Sequence, residues 1–495
     1  MKPVRDAMIL MIGRAFLGLA SVISIRLYTS LLSRGQVGRY SLLSALGTAV
    51  TLALISPVAM YINRRLLEWD REGTARRHLV SYGRYLLLVT AFAVALFVLL
   101  REVVGIGIQV SIQWLVVAVI GTVLIVTLSN TVATSINWLG YRLWFVTLTN
   151  LSAWIGLGAS IFLATVIRPD AEHWLLGTIL GQIPIVLVGS AILWRLLRTN
   201  VMPGIVPDVT SFSFPVVFAF AWPLVISTGL YWAQTQGYRF VLNEVAGLES
   251  VGVFTVGFTI GVSLTGVFDL LFTQFYLPIF YAEIAHGHDA AQAAAWNRYA
   301  RAFLPALILM SAFVGGMGSY LARLLTGDEF RAAGRVVVWG VLAESLRQIV
   351  TMLSLVAHAR VDMKHLILPS LIGVGVSLCG VYLLGALDPL NGTGLALGVG
   401  GALWVVLLIV QMRRLLPQIR LPSFTMSMAS LLGVPLILSS FLIDSIWGDV
   451  STHTAMAVAG GGFLYMVSLQ ILFARSWLRE LIAGTSSRMP TLRST

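Results

Sequence analysis

The chain has 495 residues, of which 58 % are hydrophobic and 11 % charged. A soluble domain carries about 25 % charged residues, so a soluble enzyme, a secreted protein and a disordered chain are all excluded. The net charge of +12 could suggest nucleic acid, and the single cysteine, Cys379, forms no intrachain disulfide.

The apolar residues fall in blocks long enough to cross a bilayer as helices. Fourteen helices are expected, over 7–32, 38–63, 78–100, 111–138, 143–166, 172–194, 212–236, 251–281, 299–323, 335–358, 364–386, 391–412, 424–447 and 452–475. The first is too long for a cleavable signal peptide and is interrupted by Arg14 and Arg26. An N-terminus in the cytoplasm puts Arg64, Arg65, Arg71, Arg76, Arg77, Arg195, Arg198, Arg413 and Arg414 on the same side, as the positive-inside rule requires. The basic excess is therefore a topology signal and needs no nucleic-acid partner. The expected organisation is an N-terminal lobe over 1–198, a cytoplasmic linker over 199–211 and a C-terminal lobe over 212–415. Two added helices follow over 416–480, and then a cytoplasmic tail over 481–495.

Taken in order, the spans carry polar stripes. On helix one Arg14 shares a side with Gly18, Ser21 and Tyr28, while Arg26 lies about 120° away. Each arginine either lines a cavity or snorkels to the interface. Helix four shows Thr127, Asn130, Thr134, Asn137 and Tyr141 at helical spacing. Helix seven shows Ser227, Tyr231, Gln234 and Tyr238, with Trp232 and Gln236 beside them and Arg239 at the end. Such hydroxyl, amide and aromatic groups suit sugars, and they equally suit hydrogen bonds between helices. Asp269 shares a face of helix eight with Thr255 and Thr273.

Helix ten carries the clearest stripe, Glu344, Arg347, Gln348, Thr351, Ser354 and His358. Glu344 and Arg347 can pair at i, i+3. The pair is either structural or part of a cavity, since ionisable groups inside a membrane are costly and mark pathways or partners. Arg14, Arg26, Arg239 and Arg347 are the candidate anion-binding groups. Asn130, Thr134, Asn137, Tyr231, Trp232 and Gln234 are candidate cavity-lining groups. Glu344, Asp269 and His358 are candidate ion couplers.

Two stretches repeat. Arg26 is followed by a polar loop and by Val37-Gly38-Arg39-Tyr40, and Arg239 by a polar loop and Val251-Gly252-Val253-Phe254. The next helix ends in Ser56-Pro57-Val58-Ala59-Met60-Tyr61 in one copy and in Leu277-Pro278-Ile279-Phe280-Tyr281 in the other. Six helices per copy make the repeats parallel. No phosphate-binding Gly-x4-Gly-Lys-Ser/Thr motif is present, so ATP hydrolysis in this chain is not expected. His286-Gly-His288 offers too few ligands for a metal site, and neither a metal nor a cofactor is expected.

Several of these stretches resemble the polysaccharide and oligosaccharide flippases of the multidrug/oligosaccharidyl-lipid/polysaccharide exporter superfamily, with the Wzx-type members nearest. They are Arg39-Tyr-Ser-Leu-Leu through Ser56-Pro57 to Arg64-Arg65, Trp222-Pro223, Gln236-Gly-Tyr-Arg239, and Val251-Gly252-Val-Phe. His358 through Lys364 and Gly392-Thr-Gly394 also fit, so the resemblance covers about 1–415. It implies an all-α polytopic membrane protein with two pseudo-symmetric six-helix lobes around a central cavity. The two extra C-terminal helices resemble those of the lipid II flippase, where the added pair can form a groove for the lipid tail. It also implies a non-enzymatic flippase in a bacterial inner membrane, with both termini cytoplasmic. That flippase would translocate polyprenyl-diphosphate-linked oligosaccharide by alternating access, for O-antigen, capsule or exopolysaccharide. A polysaccharide polymerase is a candidate partner, alongside membrane lipids. In the family the residue before the helix-seven arginine is often acidic. Here it is Tyr238, so no role of that acid carries over. A lipid II flippase, a drug/cation antiporter and a membrane polymerase or ligase acting on lipid-linked sugars are the alternatives. A diphosphate suits arginine, whose planar fork matches phosphate oxygens.

Overall fold

The computed structural model describes residues 2–104, 110–198, 213–284, 289–360, 364–447 and 452–486. Among them there are fourteen long helices and no strand. They are α1 (Lys2–Leu31), α2 (Arg34–Arg71), α3 (Ala75–Val104), α4 (Ile112–Trp138), α5 (Arg142–Ile167), α6 (Ala171–Leu196), α7 (214–246) and α8 (248–284). The remainder are α9 (Asp289–Gly316), prolonged by a short helix Gly318–Leu325, then α10 (Gly334–Arg360), α11 (Lys364–Gly385), α12 (Asn391–Leu415), α13 (Ser423–Trp447) and α14 (Thr452–Ser486). The chain is thus an all-α polytopic membrane protein. By length and apolarity alone, 12 stretches qualify as spans. Leu224–Asp269 counts there as one, and Ser423–Ser439 counts as shorter than a span.

Fourteen helices were expected, and the differences lie at their ends. Helix two runs on to Arg71 because its amphipathic extension makes its own contacts: Arg65 donates to Glu68 at 2.7 Å, one turn away. Helix seven does not stop before Arg239 but continues to 246, where Gly247 adopts φ 78° and breaks it from α8. That backbone conformation favours glycine. The expected linker 199–211, residues 487–495 of the expected tail, and His286 and His288 lie outside the described residues.

Two compact units divide the chain. Unit 1 comprises Met1–Val253 with Leu325–Glu329, and unit 2 comprises Phe254–Leu324 with Phe330–Thr495. The core of unit 1 includes Ile62, Leu66, Trp69, Tyr82, Leu86, Val123 and Ile136 from α2, α3 and α4. That of unit 2 includes Trp296, Tyr299, Phe303, Leu353, Val356 and Leu408 from α9, α10 and α12. Phe272, Tyr276, Tyr299 and Phe303 stack or meet edge-on there, with centroid separations of 4.6 Å for Phe272–Tyr276 and 5.4 Å for Tyr299–Phe303. Such pairs add to what their buried area contributes.

Several helices contain π turns, at Thr51–Ile55, Ile120–Val126, Leu163–Ile167, Ile185–Gly189 and Ala233–Gly237. A π turn inserts a residue into the α-helical repeat and re-aims the side chains beyond it. All of these lie in unit 1, on the helices that line its cavities.

Candidate functional site

Unit 1 builds a polar cavity from α1, α4, α5 and α6. Helices α5 and α6 approach closely, since a Cβ on Gly181 would meet the Gly156 backbone. Ser152 Oγ donates to the Gly181 carbonyl at 2.5 Å and Ser160 Oγ to the Trp174 carbonyl at 2.9 Å, so small residues and hydroxyls close the seam. Helix α6 then distorts: a turn at Gly181–Gln182, Pro184 and the π turn Ile185–Gly189 follow in succession. Proline removes a backbone donor and clashes with the preceding turn. The distortion leaves a cavity of about 320 Å³, lined by Arg14, Asn130, Thr134, Thr149, Asn150 and Gln182 among others.

Three of the sequence candidates, Arg14, Asn130 and Thr134, therefore meet in one space. The Arg14 side chain makes no ion pair or hydrogen bond among the described residues and is exposed to the cavity. Asn150 Nδ2 donates to the Val146 carbonyl at 2.9 Å, while its Oδ1 is buried without a partner. Gln182 Oε1 accepts from Ser129 Oγ at 2.8 Å, which orients the amide. The cavity thus combines one unpaired guanidinium with amides and a hydroxyl. Guanidinium and amide N–H groups donate to anionic and hydroxyl oxygens, and amide oxygens accept from hydroxyl groups. Asn137 is half-buried on α4 and lies outside this lining.

The other arginines of unit 1 sit differently. Arg26 Nη1 donates to the Thr326 carbonyl, in the segment 325–329 that belongs to unit 1. Thr29 Oγ1 accepts from Gly327 N at 2.9 Å, and Arg34 Nε donates to the Glu329 carbonyl at 2.9 Å. The α1–α2 corner therefore holds the segment 325–329 of its own unit. Arg239 Nη1 donates to the Ser41 carbonyl at 3.1 Å, and its guanidinium lies 5.9 Å from the centre of the buried Tyr238 ring. Trp232 Nε1 donates to the Ala45 carbonyl at 3.0 Å. Tyr231 and Gln234 are half-buried on the same helix.

In unit 2, α8 and α10 pack through glycines. A Cβ on Gly261 would meet the Val337 carbonyl, and one on Gly340 the Phe258 carbonyl. This close approach continues to a charged cluster. Arg347 Nε donates to Glu344 Oε2 at 2.7 Å and its Nη2 to Oε1 at 2.5 Å. Its Nη2 also lies 3.6 Å from Asp269 Oδ2. Gln348 Nε2 bonds both the Thr265 carbonyl, at 3.0 Å, and Glu344 Oε1, at 3.2 Å. The expected Glu344–Arg347 pair is formed, and α8 adds Asp269 to it. Glu344 and Gln348 are buried, whereas Thr351 is exposed and bonds back to its own helix. The side chains of His358 and of 277–279 lie outside the described ones, and among the described residues no three metal-ligating side chains converge.

Sequence reasoning missed Thr149, Asn150 and Gln182. The signal was the polar run Thr149-Asn150-Leu151-Ser152 inside an apolar helix. Its direction could not be told without the α5–α6 seam.

No protein-family model matches the chain, and no curated protein matches it in sequence. Solved structures do match in fold. A lipid II flippase MurJ in an inward closed conformation aligns over 95 % of this chain and 99 % of its own, with a TM-score of 0.69 at 14 % identity. An inward-facing multidrug resistance MATE family transporter of the MOP superfamily covers 81 % of this chain and 95 % of its own, with a TM-score of 0.61 at 14 % identity. A MATE structure in complex with MaD5 gives a TM-score of 0.51 at 16 % identity, over 84 % of this chain and 96 % of its own. This chain therefore has the fold of MOP superfamily transporters.

Proposed function

We propose that the chain is a flippase for an amphiphile with an anionic, sugar-bearing headgroup. The best-fitting class is polyprenyl-diphosphate-linked oligosaccharide, moved by alternating access across a bacterial inner membrane for surface polysaccharide assembly. The observation that carries this is Arg14, a guanidinium without a partner among the described residues, beside the amides of Asn130, Asn150 and Gln182 in the unit 1 cavity. An anion there gains charge-assisted hydrogen bonds, and neighbouring sugar hydroxyls gain amide partners. The shared fold with a lipid II flippase and with multidrug transporters supports transport as the activity class. A drug cation would meet Arg14 as a like charge, which disfavours the cation-antiporter reading.

The proposed energy source is an ion gradient or the membrane potential, coupled through the unit 2 cluster. Asp269 and Glu344 both lie against Arg347, and these carboxylates are the groups that would take up a proton or a monovalent cation. Moving one charge across the membrane is worth about 2.3 kcal/mol per 100 mV. Arg347, being held by two carboxylates, is assigned here to this coupling group.

The test is a deletion strain complemented with the wild-type chain or with Arg14→Gln. Without a working copy, the lipid-linked repeat unit should accumulate facing the cytoplasm while the surface polymer is lost. If single repeat units still reach the outer surface but remain unpolymerised, the flippase reading fails and a polymerase or ligase takes its place.

A further inference from the structure

We propose that a second cleft in unit 1, formed by α2, α3, α4 and α7, holds a phosphate-bearing lipid. Its phosphate sits on Arg101, and its hydrocarbon chain lies along the cleft wall. The inference does not depend on the transport reading.

The cleft has a volume of about 190 Å³, and its wall includes Leu46, Phe97, Leu115, Trp232 and Phe240. Arg101, in the last turn of α3, is the one charged residue of the lining. Its Nη1 is buried and has no hydrogen-bond partner among the described residues. Buried polar atoms are nearly always paired, and a guanidinium N–H is best paired by an anionic oxygen. No carboxylate among the described residues supplies one, and the adjacent Glu102 is exposed and makes no ion pair with Arg101.

The wall is kept apolar by local structure. Trp232 and Phe240 are eight residues apart, which on a regular α-helix separates them by about 80°. The π turn Ala233–Gly237 lies between them. Its inserted residue makes them behave as seven apart, within about 20° of one another. Both rings therefore face the same cleft, with centroids 6.0 Å apart. The polar edge of Trp232 is already used, since its Nε1 donates to the Ala45 carbonyl.

An apolar slot with a single unpaired cation selects its occupant by chemistry. A free phosphate gains nothing from the rings, and a neutral lipid gains nothing from Arg101. A zwitterionic headgroup brings its own cation to the phosphate. An anionic phospholipid-type headgroup with a hydrocarbon chain satisfies both parts of the cleft.

The probe is a phosphatidylglycerol carrying a diazirine on its acyl chain, in phosphatidylcholine vesicles that contain the full chain. After irradiation, peptides spanning Phe97 and Leu115 are quantified by mass spectrometry. Labelling should fall about tenfold in Arg101→Gln, the loss expected for a charged hydrogen bond, and recover in part in Arg101→Lys. Leu115→Trp fills the cleft without touching the charge and should lose the label too. It carries the test if Arg101→Gln fails to fold. Three results each overturn the proposal. They are unchanged labelling in the variants, equal labelling by a diazirine phosphatidylcholine, or displacement of the probe by inorganic phosphate.

Discussion

Gly38 and Gly252 lie backbone against backbone. A Cβ on Gly38 would meet the Leu248 carbonyl and Gly252 N, and a Cβ on Gly252 would meet the Arg34 carbonyl and Gly38 N. In each case the carbonyl belongs to the residue four before the partner glycine, so the contact reads the same from either helix. These are the glycines of the two Val-Gly-x-aromatic motifs. The sequence repeat is therefore also a physical crossing of its two copies. Either alanine substitution should cost about 1–3 kcal/mol by overpacking, read as a lower melting temperature in detergent. The double variant should cost less than the sum, because both remove the same contact. No change in either single variant would show that the two backbones can part freely.

Arg14 and Arg26 sit on one helix and should behave differently. Arg14 faces the polar cavity without a partner among the described residues, whereas Arg26 is bonded to the Thr326 carbonyl. Arg14→Gln should weaken binding of a polyprenyl-diphosphate ligand about tenfold or more while leaving thermal stability near wild type. Arg26→Gln should do the reverse, losing about 1 kcal/mol of stability with the hydrogen bond to Thr326 and with little effect on ligand binding. Ligand titration and thermal unfolding on the same preparations separate the two, and an exchange of phenotypes would reassign the site.

The unit 2 cluster predicts an order of stabilities. Glu344→Gln leaves Arg347 with Asp269, so its cost should lie at or below the low end of the about 3–5 kcal/mol seen when one partner of a buried pair is removed. Arg347→Met strands two carboxylates and should be worse. Adding Asp269→Asn to Arg347→Met should recover part of the loss, a coupling that a double-mutant cycle measures. Additive effects would mean that Asp269 and Arg347 do not interact.

Asp388 lies between α11 and α12, and its carboxyl is held below the ordinary carboxylate range. The Asn391 side chain donates to it at 2.9 Å, and the backbone N–H groups of Asn391 and Leu390 each donate at 3.0 Å. A depressed folded-state value means the contribution is present above the unfolded carboxylate value of about 3.9 and is lost as the pH falls through the lower folded value. Asp388→Asn should therefore flatten a small acid-side loss of stability below about pH 4 and change little at pH 7. A pH series of melting temperatures checks the sign.

The spans were legible because each must be apolar over a bilayer's thickness, and that is a property of contiguous residues. Two of the polar relationships were legible for a similar reason. Glu344 and Arg347 are one turn apart, and Asn130 and Thr134 lie on one helical face, so geometry within a single helix relates them. The end of α7 was misjudged because the π turn Ala233–Gly237 carries the helix through polar residues that would ordinarily signal a stop.

The amino-acid sequence by itself determined the helices, their repeat and the faces on which their polar groups stand. Tertiary structure alone decided which of those faces meet. It brought Asp269 to Arg347, Arg26 to a carbonyl 300 residues further along, and Asn150 and Gln182 to Arg14. Helical periodicity relates residues of one helix to each other. The register between helices is set by close contacts, such as Gly181 on Gly156 and Gly261 on Val337, and a glycine does not name the backbone it will touch.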